Sequence, residues 1–134
     1  MALRYLLDTN TASYIIKGNI PNVRERLRRV PLAEVGISSV TEAELRFGAE
    51  RTPQNSRLAI AVEEFIIRLE VLPWNSESAK QHAILRASLE KKGEPMGNLD
   101  MMIAAQALAS DLRLVTHDRA FKRLTDLQVE DWTK

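Results

Sequence analysis

The chain has 134 residues, of which 45% are apolar and 28% charged, so a single globular domain with its own core is expected over residues 1–134. It has no cysteine, which excludes a disulfide framework and a thiolate metal site and fits a reducing compartment. A net charge of +1 excludes a nucleic-acid partner announced by bulk charge, so any such partner must rest on local patches and on a site.

The first element is the apolar run Leu3 to Leu7, which stops at Asp8-Thr9-Asn10. A short apolar run bounded by turn-forming residues reads as a buried strand, with Asp8 where the strand leaves the sheet. Asp8 also interrupts the only apolar run near the N-terminus, and no stretch approaches the roughly 18 apolar residues of a membrane span, so no signal peptide and a cytoplasmic location without membrane attachment are expected. Residues 11–18 read as a short helix stopped by Gly18. Residues 21–30 read as a second helix with Val23, Leu27 and Val30 on its buried face. Its other face carries Arg24, Arg28 and Arg29, either simply solvated or positioned for phosphate contact.

Residues 34–38 form a second expected strand, and Ser38, Ser39 and Thr41 offer N-caps for the helix that carries Glu42 and Glu44. The pairs Ser39/Glu42 and Thr41/Glu44 both have capping-box spacing, so either glutamate has a structural reading as well as a chemical one. Residues 57–70 are an amphipathic helix on Leu58, Val62, Phe65, Ile66 and Leu69. Val71 to Trp74 is a third strand, with Pro73 pointing to its end or to an edge. A helix from about Ser76 to Lys92 is stopped by Gly93. His82 stands alone on it, without the neighbours a metal ligand needs. The next helix, Leu99 to Ala109, is apolar nearly all round and should be buried. Asn98 could cap it, and Asp100 in its first turn suits the dipole, yet a carboxylate leading a buried helix is costly unless it meets a cation or water. Residues 112–116 form a fourth strand, again followed by an acid, Asp118, which could be a helix N-cap. The tail, 127–132, holds one last short strand.

Strands alternating with helices point to an α/β fold, a parallel sheet of four or five strands covered on both faces. Sites in such sheets form at the carboxyl ends of strands. Asp8, Glu44, Asp100 and Asp118 each follow a strand or lie early in a helix, and together they would line one pocket. Four carboxylates without a cation repel one another. A hard divalent ion, Mg²⁺ or Mn²⁺, relieves this, lowers the pKa of a bound water and stabilises charge on a phosphodiester. No Cys or Ser-His-Asp set and no glycine-rich phosphate loop competes.

The blocks Leu7-Asp8-Thr9-Asn10, Ser38 to Gly48, Gly97-Asn98-Leu99-Asp100 with Ile103-Ala104-Ala105, and Thr116-His117-Asp118 with Phe121 resemble the PIN-domain ribonucleases. More narrowly they resemble the VapC toxins of bacterial type II toxin–antitoxin pairs, and the ending Asp126 to Trp132 is similar to the enterobacterial-type members. The resemblance covers the whole chain. It implies a three-layer α/β/α PIN-like domain and a Mg²⁺-dependent endoribonuclease, with Mn²⁺ as a substitute ion. Asp8, Glu44 and Asp100 would be catalytic and, with Asp118, metal-holding; members carry Asp or Asn at the place of Asp118. Thr9, Asn10 and Thr116 would orient carboxylates, and Arg24 and Arg28 would contact RNA. Implied partners are a VapB antitoxin that blocks the site, a second copy of the chain, and initiator tRNA cut in the anticodon stem-loop. A homodimer also follows from the apolar faces of 11–16 and 57–70, which exceed the needs of one small core. The competing reading is a catalytically silent PIN-like module that binds RNA or protein.

Overall fold

A computed structural model describes residues 3–134; Met1 and Ala2, the first two residues of the expected 1–134 domain, lie outside the described residues. The centre is β1, Tyr5–Leu7, three buried residues paired in parallel with β2, Val35–Ser38, on one side and β4, Arg113–Val115, on the other. The edges are β3, Glu70–Leu72, and β5, Val129–Glu130, giving the order β3-β2-β1-β4-β5 with every pairing parallel. The sheet therefore reaches the five strands that were the upper expectation. β3 ends at Leu72 rather than Trp74 because Pro73 has no N–H to continue the ladder, and the edge is where a proline is tolerated.

Side chains alternate across the sheet. Tyr5, Leu7, Val35, Ile37 and Val115 pack on one face with Ala12 and Ile15 of α1 (Thr9–Lys17), Val23 of α2 (Pro21–Arg28), Leu45 of α3 (Ser39–Glu50) and Val62 and Ile66 of α4 (Arg57–Arg68). Leu6 and Leu114 face the other way, onto Leu89 of α5 (Ser76–Lys92) and Met101, Ile103, Ala104 and Ala107 of α6 (Asn98–Ala109). Two cores on one doubly covered sheet make the three layers, and α6 is buried nearly all round as its composition requires. Gly36 is needed where β2 meets β3, since a Cβ there would fall 2.8 Å from Leu72 Cδ1 and 3.0 Å from the Glu70 carbonyl oxygen.

The connections decide where chemistry can sit. From β1 the chain winds outward through β2 to β3, then crosses back through α5 and α6 to place β4 on the opposite side of β1. The winding reverses between β1 and β4. In open parallel sheets the crevice outside the strand ends opens at that reversal, and the residues leaving β1 and β4 there are Asp8 and the Thr116–Asp118 turn.

Candidate active site

Asp8 is 4% exposed and both of its carboxylate oxygens are held. Oδ1 accepts the Thr11 N–H at 2.8 Å and Oδ2 accepts the Thr116 hydroxyl at 2.5 Å. The first bond makes Asp8 the N-cap of α1, which is why α1 starts at Thr9, two residues before the start read from sequence. The Thr116 hydroxyl in turn accepts the Asp118 N–H at 3.0 Å, and the Thr11 hydroxyl donates to the Val115 carbonyl at 3.1 Å. A short chain of bonds thus ties the end of β1 to the end of β4. Asp118 Oδ1 accepts the Ala120 N–H at 2.9 Å and caps the 3₁₀ turn Arg119–Arg123. Its capping role is real, and it leaves the second carboxylate oxygen for the site.

Asp100 enters from the first turn of α6, half-buried. The residue at the cap position is Gly97, with no side-chain cap, and Asn98 is already helical, so the expected Asn98 cap does not form. Burial raises the Asp8 carboxyl above its ordinary range; the Thr116 and Thr11 hydrogen bonds oppose this and Asp118 adds to it. Burial likewise raises Asp100, followed by the charges of Asp118 and Asp8. The three aspartates therefore share one electrostatic neighbourhood. Among the described residues, none of Asp8, Glu44, Asp100 and Asp118 forms an ion pair.

Glu44 lies on α3 one turn beyond Thr41, whose buried hydroxyl stands 3.1 Å from that of Thr9. Neither glutamate closes a capping box. Ser38 caps α3 through the Val40 N–H at 3.0 Å, and Glu42 binds Arg46 at 2.8 Å, an arginine that also reaches Glu63 at 2.8 Å. Glu44 is exposed and is left with no structural partner of that kind.

Of the groups expected to orient carboxylates, Thr116 does so. Thr9 instead links α1 to α3 through Thr41, and Asn10 faces solvent. The structure gives Arg24 and Arg28, the arginines expected to contact RNA, partners other than the acids. Arg24 Nε donates to the Ile15 carbonyl at 2.8 Å and Nη2 to that of Ile16 at 3.2 Å, closing the end of α1 remote from Asp8. A helix of nine residues separates the two by about 13 Å. Arg28 pairs with Glu25 at 3.3 Å. Two contributors escaped the sequence reading, Thr11 and Thr41. The three-residue step from Asp8 to Thr11 is an N-cap signal that was available; nothing in the sequence marked Thr41 as the partner of Thr9.

The donor set of Asp8, Asp100 and Asp118 is all oxygen, crowded with negative charge and open to solvent on the Asp118 side, and among the described residues no contact or charge interaction joins Glu44 to it. Among the described residues no three carboxylate or imidazole groups come together closely enough to hold a metal ion by themselves, so any ion here would be held by fewer protein groups and by water. That arrangement suits Mg²⁺ and Mn²⁺, of which Mg²⁺ binds through one or two carboxylates, keeps several waters and takes substrate phosphate oxygens.

The family model that matches is the PIN domain, over residues 5–127. The chain is 40% identical over 131 residues, 97% of this chain and 98% of the relative, to the tRNA(fMet)-specific endonuclease VapC of Salmonella typhimurium. It is 37% identical over 132 residues, 98% of this chain and 99% of the relative, to the protein of the same name from Shigella flexneri. Among solved structures, DNA-bound VapBC from Salmonella typhimurium matches with a TM-score of 0.90 at 40% identity, over 97% of this chain and 98% of that chain. The chain belongs to the PIN-domain family and, within it, to the VapC ribonucleases. The expected class, a ribonuclease of a toxin–antitoxin pair, holds.

Proposed function

We propose that the protein is a Mg²⁺-dependent endoribonuclease that cuts initiator tRNA in the anticodon stem-loop and is held silent by a VapB-type antitoxin. The observation that carries the reading is the group of three aspartates at the switch point of the sheet, where burial and then neighbouring carboxylates raise Asp8 and Asp100, with no cationic side chain paired to them among the described residues. The substrate follows the names of the Salmonella and Shigella relatives, and the partner follows the VapBC complexes among the structural neighbours. A nuclease acting on tRNA works in the cytoplasm, and among the described residues no helix is long and apolar enough to cross a membrane.

In this reading Asp8 and Asp100 hold Mg²⁺, or Mn²⁺ in its place, with Asp118 beside them. An ion held there would supply charge neutralisation at the phosphodiester and a lowered pKa for a water. Thr116 and the Thr11 N–H fix the Asp8 carboxylate in one orientation, as groups behind a ligand do. Glu44, exposed and unpaired, takes the proton of the attacking water. Water adds to phosphorus, the bond to the ribose 3′ oxygen breaks, that oxygen takes a proton from solvent, and the products are a 3′ hydroxyl and a 5′ phosphate. Attack by the 2′ hydroxyl is disfavoured because, among the described residues, neither histidine is hydrogen-bonded to a second histidine or a lysine that could share acid–base transfer. The working unit is a homodimer that assembles with antitoxin into a larger complex.

The test is incubation of purified protein with total tRNA in Mg²⁺ and in EDTA. Initiator tRNA cut in Mg²⁺ and intact in EDTA is the expected result. Binding of tRNA without cleavage under both conditions would establish the silent module instead.

A further inference from the structure

Beyond the acids, α3 carries an aromatic side chain with no partner in the core. Phe47 is 60% exposed, and among the described residues no other phenylalanine, tyrosine or tryptophan is exposed. The Arg51 guanidinium carbon lies 5.6 Å from the Phe47 ring centroid. Arg46, on the same helix, is neutralised by Glu42 and Glu63, whereas Arg51 forms no ion pair among the described residues. Beside the ring, a Cβ added at Gly48 would meet nothing within 4 Å, so the surface there is open.

The row has a direction. Glu44, Phe47 and Arg51 follow one another at spacings of three and four on one side of the helix. At ~1.5 Å per residue Phe47 lies about 4.5 Å and Arg51 about 10 Å beyond Glu44 along the axis. The ring and the guanidinium therefore lie one and two turns beyond Glu44 on its side of the helix, and α3 itself is joined to the residue after Asp8 by the Thr41–Thr9 contact. A seam between two copies of the chain would need contiguous apolar area. The helical neighbours of Phe47 are instead Ala43, Glu44, Glu50 and Arg51, a single ring in a charged field.

We infer that Phe47 and Arg51 form a subsite for an unpaired nucleotide next to the scissile bond, the base stacking on the ring and a phosphate meeting the guanidinium. Only a base outside a duplex can lay its face on a side chain, and aromatic rings with a nearby arginine are the usual platform for one. The inference rests on the ribonuclease reading and adds to it a preference for single-stranded loops.

The experiment is fluorescence anisotropy in EDTA with two labelled RNAs, a hairpin with an unpaired loop and a blunt duplex of equal length. Phe47→Ala should weaken hairpin binding about tenfold and leave the duplex unchanged, the loss expected for one stacked base. Phe47→Trp should restore hairpin binding, and Arg51→Gln should lower its salt dependence by about one ion. Hairpin binding by Phe47→Ala equal to wild type, or equal losses on hairpin and duplex, would overturn the inference. So would light scattering that shows Phe47→Ala dissociating a wild-type dimer, since a second copy would then cover this face. If wild type cleaves the hairpin in Mg²⁺ while Phe47→Ala and Arg51→Gln bind and cleave as it does, only this subsite falls. If wild type neither binds nor cleaves, the ribonuclease reading falls and takes the subsite with it.

Discussion

Replacing Asp100 with asparagine keeps the shape of the side chain and removes one charge from the group it forms with Asp8 and Asp118. The Asp100 carboxyl is raised by burial and then by those two neighbours. A group whose folded pKa is raised makes a favourable contribution below its unfolded pKa, 3.8 here, and loses it as pH rises through the folded value. At neutral pH the metal-free wild type thus carries the repulsion in full and Asp100→Asn is relieved of it. For partly solvated charges the relief is on the order of 0.5–1 kcal/mol after allowance for screening. In EDTA at pH 7 the variant should melt a few degrees above wild type, at about 3–5 °C per kcal/mol for a chain of this size. Metal should reverse the order. A divalent ion at a hundred times its Kd stabilises the fold by ~2.7 kcal/mol, so the wild-type midpoint should rise by about 8–13 °C, while the variant should gain much less. Cleavage measured in single turnover at saturating RNA and Mg²⁺ should fall by a factor of about 10² or more, the equivalent of at least ~2.7 kcal/mol in the barrier. A variant that is less stable than wild type in EDTA, or that cleaves at the wild-type rate, would refute the reasoning.

Thr116→Val removes the hydroxyl that donates to Asp8 and accepts from Asp118; urea melts should show a loss of about 1–3 kcal/mol for the unsatisfied buried groups, and Mn²⁺ affinity should drop with it. Arg24→Ala should destabilise the fold by ~1 kcal/mol through the exposed carbonyls of α1 while leaving RNA affinity unchanged, a contrast with Arg51→Gln that anisotropy and melts together resolve. Asp131 is held at about 2, where hydrogen bonds from Thr133 and His117 outweigh burial. Its contribution is present above pH 3.8 and lost as pH falls through about 2, so Asp131→Asn should be less stable than wild type at pH 5, with the difference closing toward pH 2 in a melting series.

The parts of the fold that were legible in sequence are those set by local pattern. The apolar run ending at Asp8 and the run ending before Asp118 announced two strand ends with acids on them, and those strands are neighbours at the switch point. The all-round apolarity of 101–107 announced a buried helix, and capping glycines at Gly18 and Gly93 sit at φ of 69° and 67° as expected. What stayed hidden depends on chain crossings. The bond between Thr116 and Asp8 spans 108 residues. Arg24 looked like part of a solvated or RNA-binding face because its partners, the carbonyls of Ile15 and Ile16, belong to the preceding helix across a turn. The capping-box spacing at Thr41/Glu44 misled for a related reason: Ser38 at the strand end already caps α3, freeing Thr41 to meet Thr9. The tail read as little more than a strand, yet Trp132 is 1% exposed against Tyr5, and His117, beside Asp118, is tied to Asp131 at 2.9 Å.

The central claim is that Asp8 and Asp100 together hold a divalent cation. It is tested most directly by titrating Mn²⁺ into the protein and following the free ion by electron paramagnetic resonance. Wild type should take up Mn²⁺ in competition with Mg²⁺, Asp8→Asn and Asp100→Asn should each lose most of that affinity, and Arg24→Ala should retain it. Absence of uptake by wild type, or uptake by both aspartate variants equal to wild type, would contradict the account.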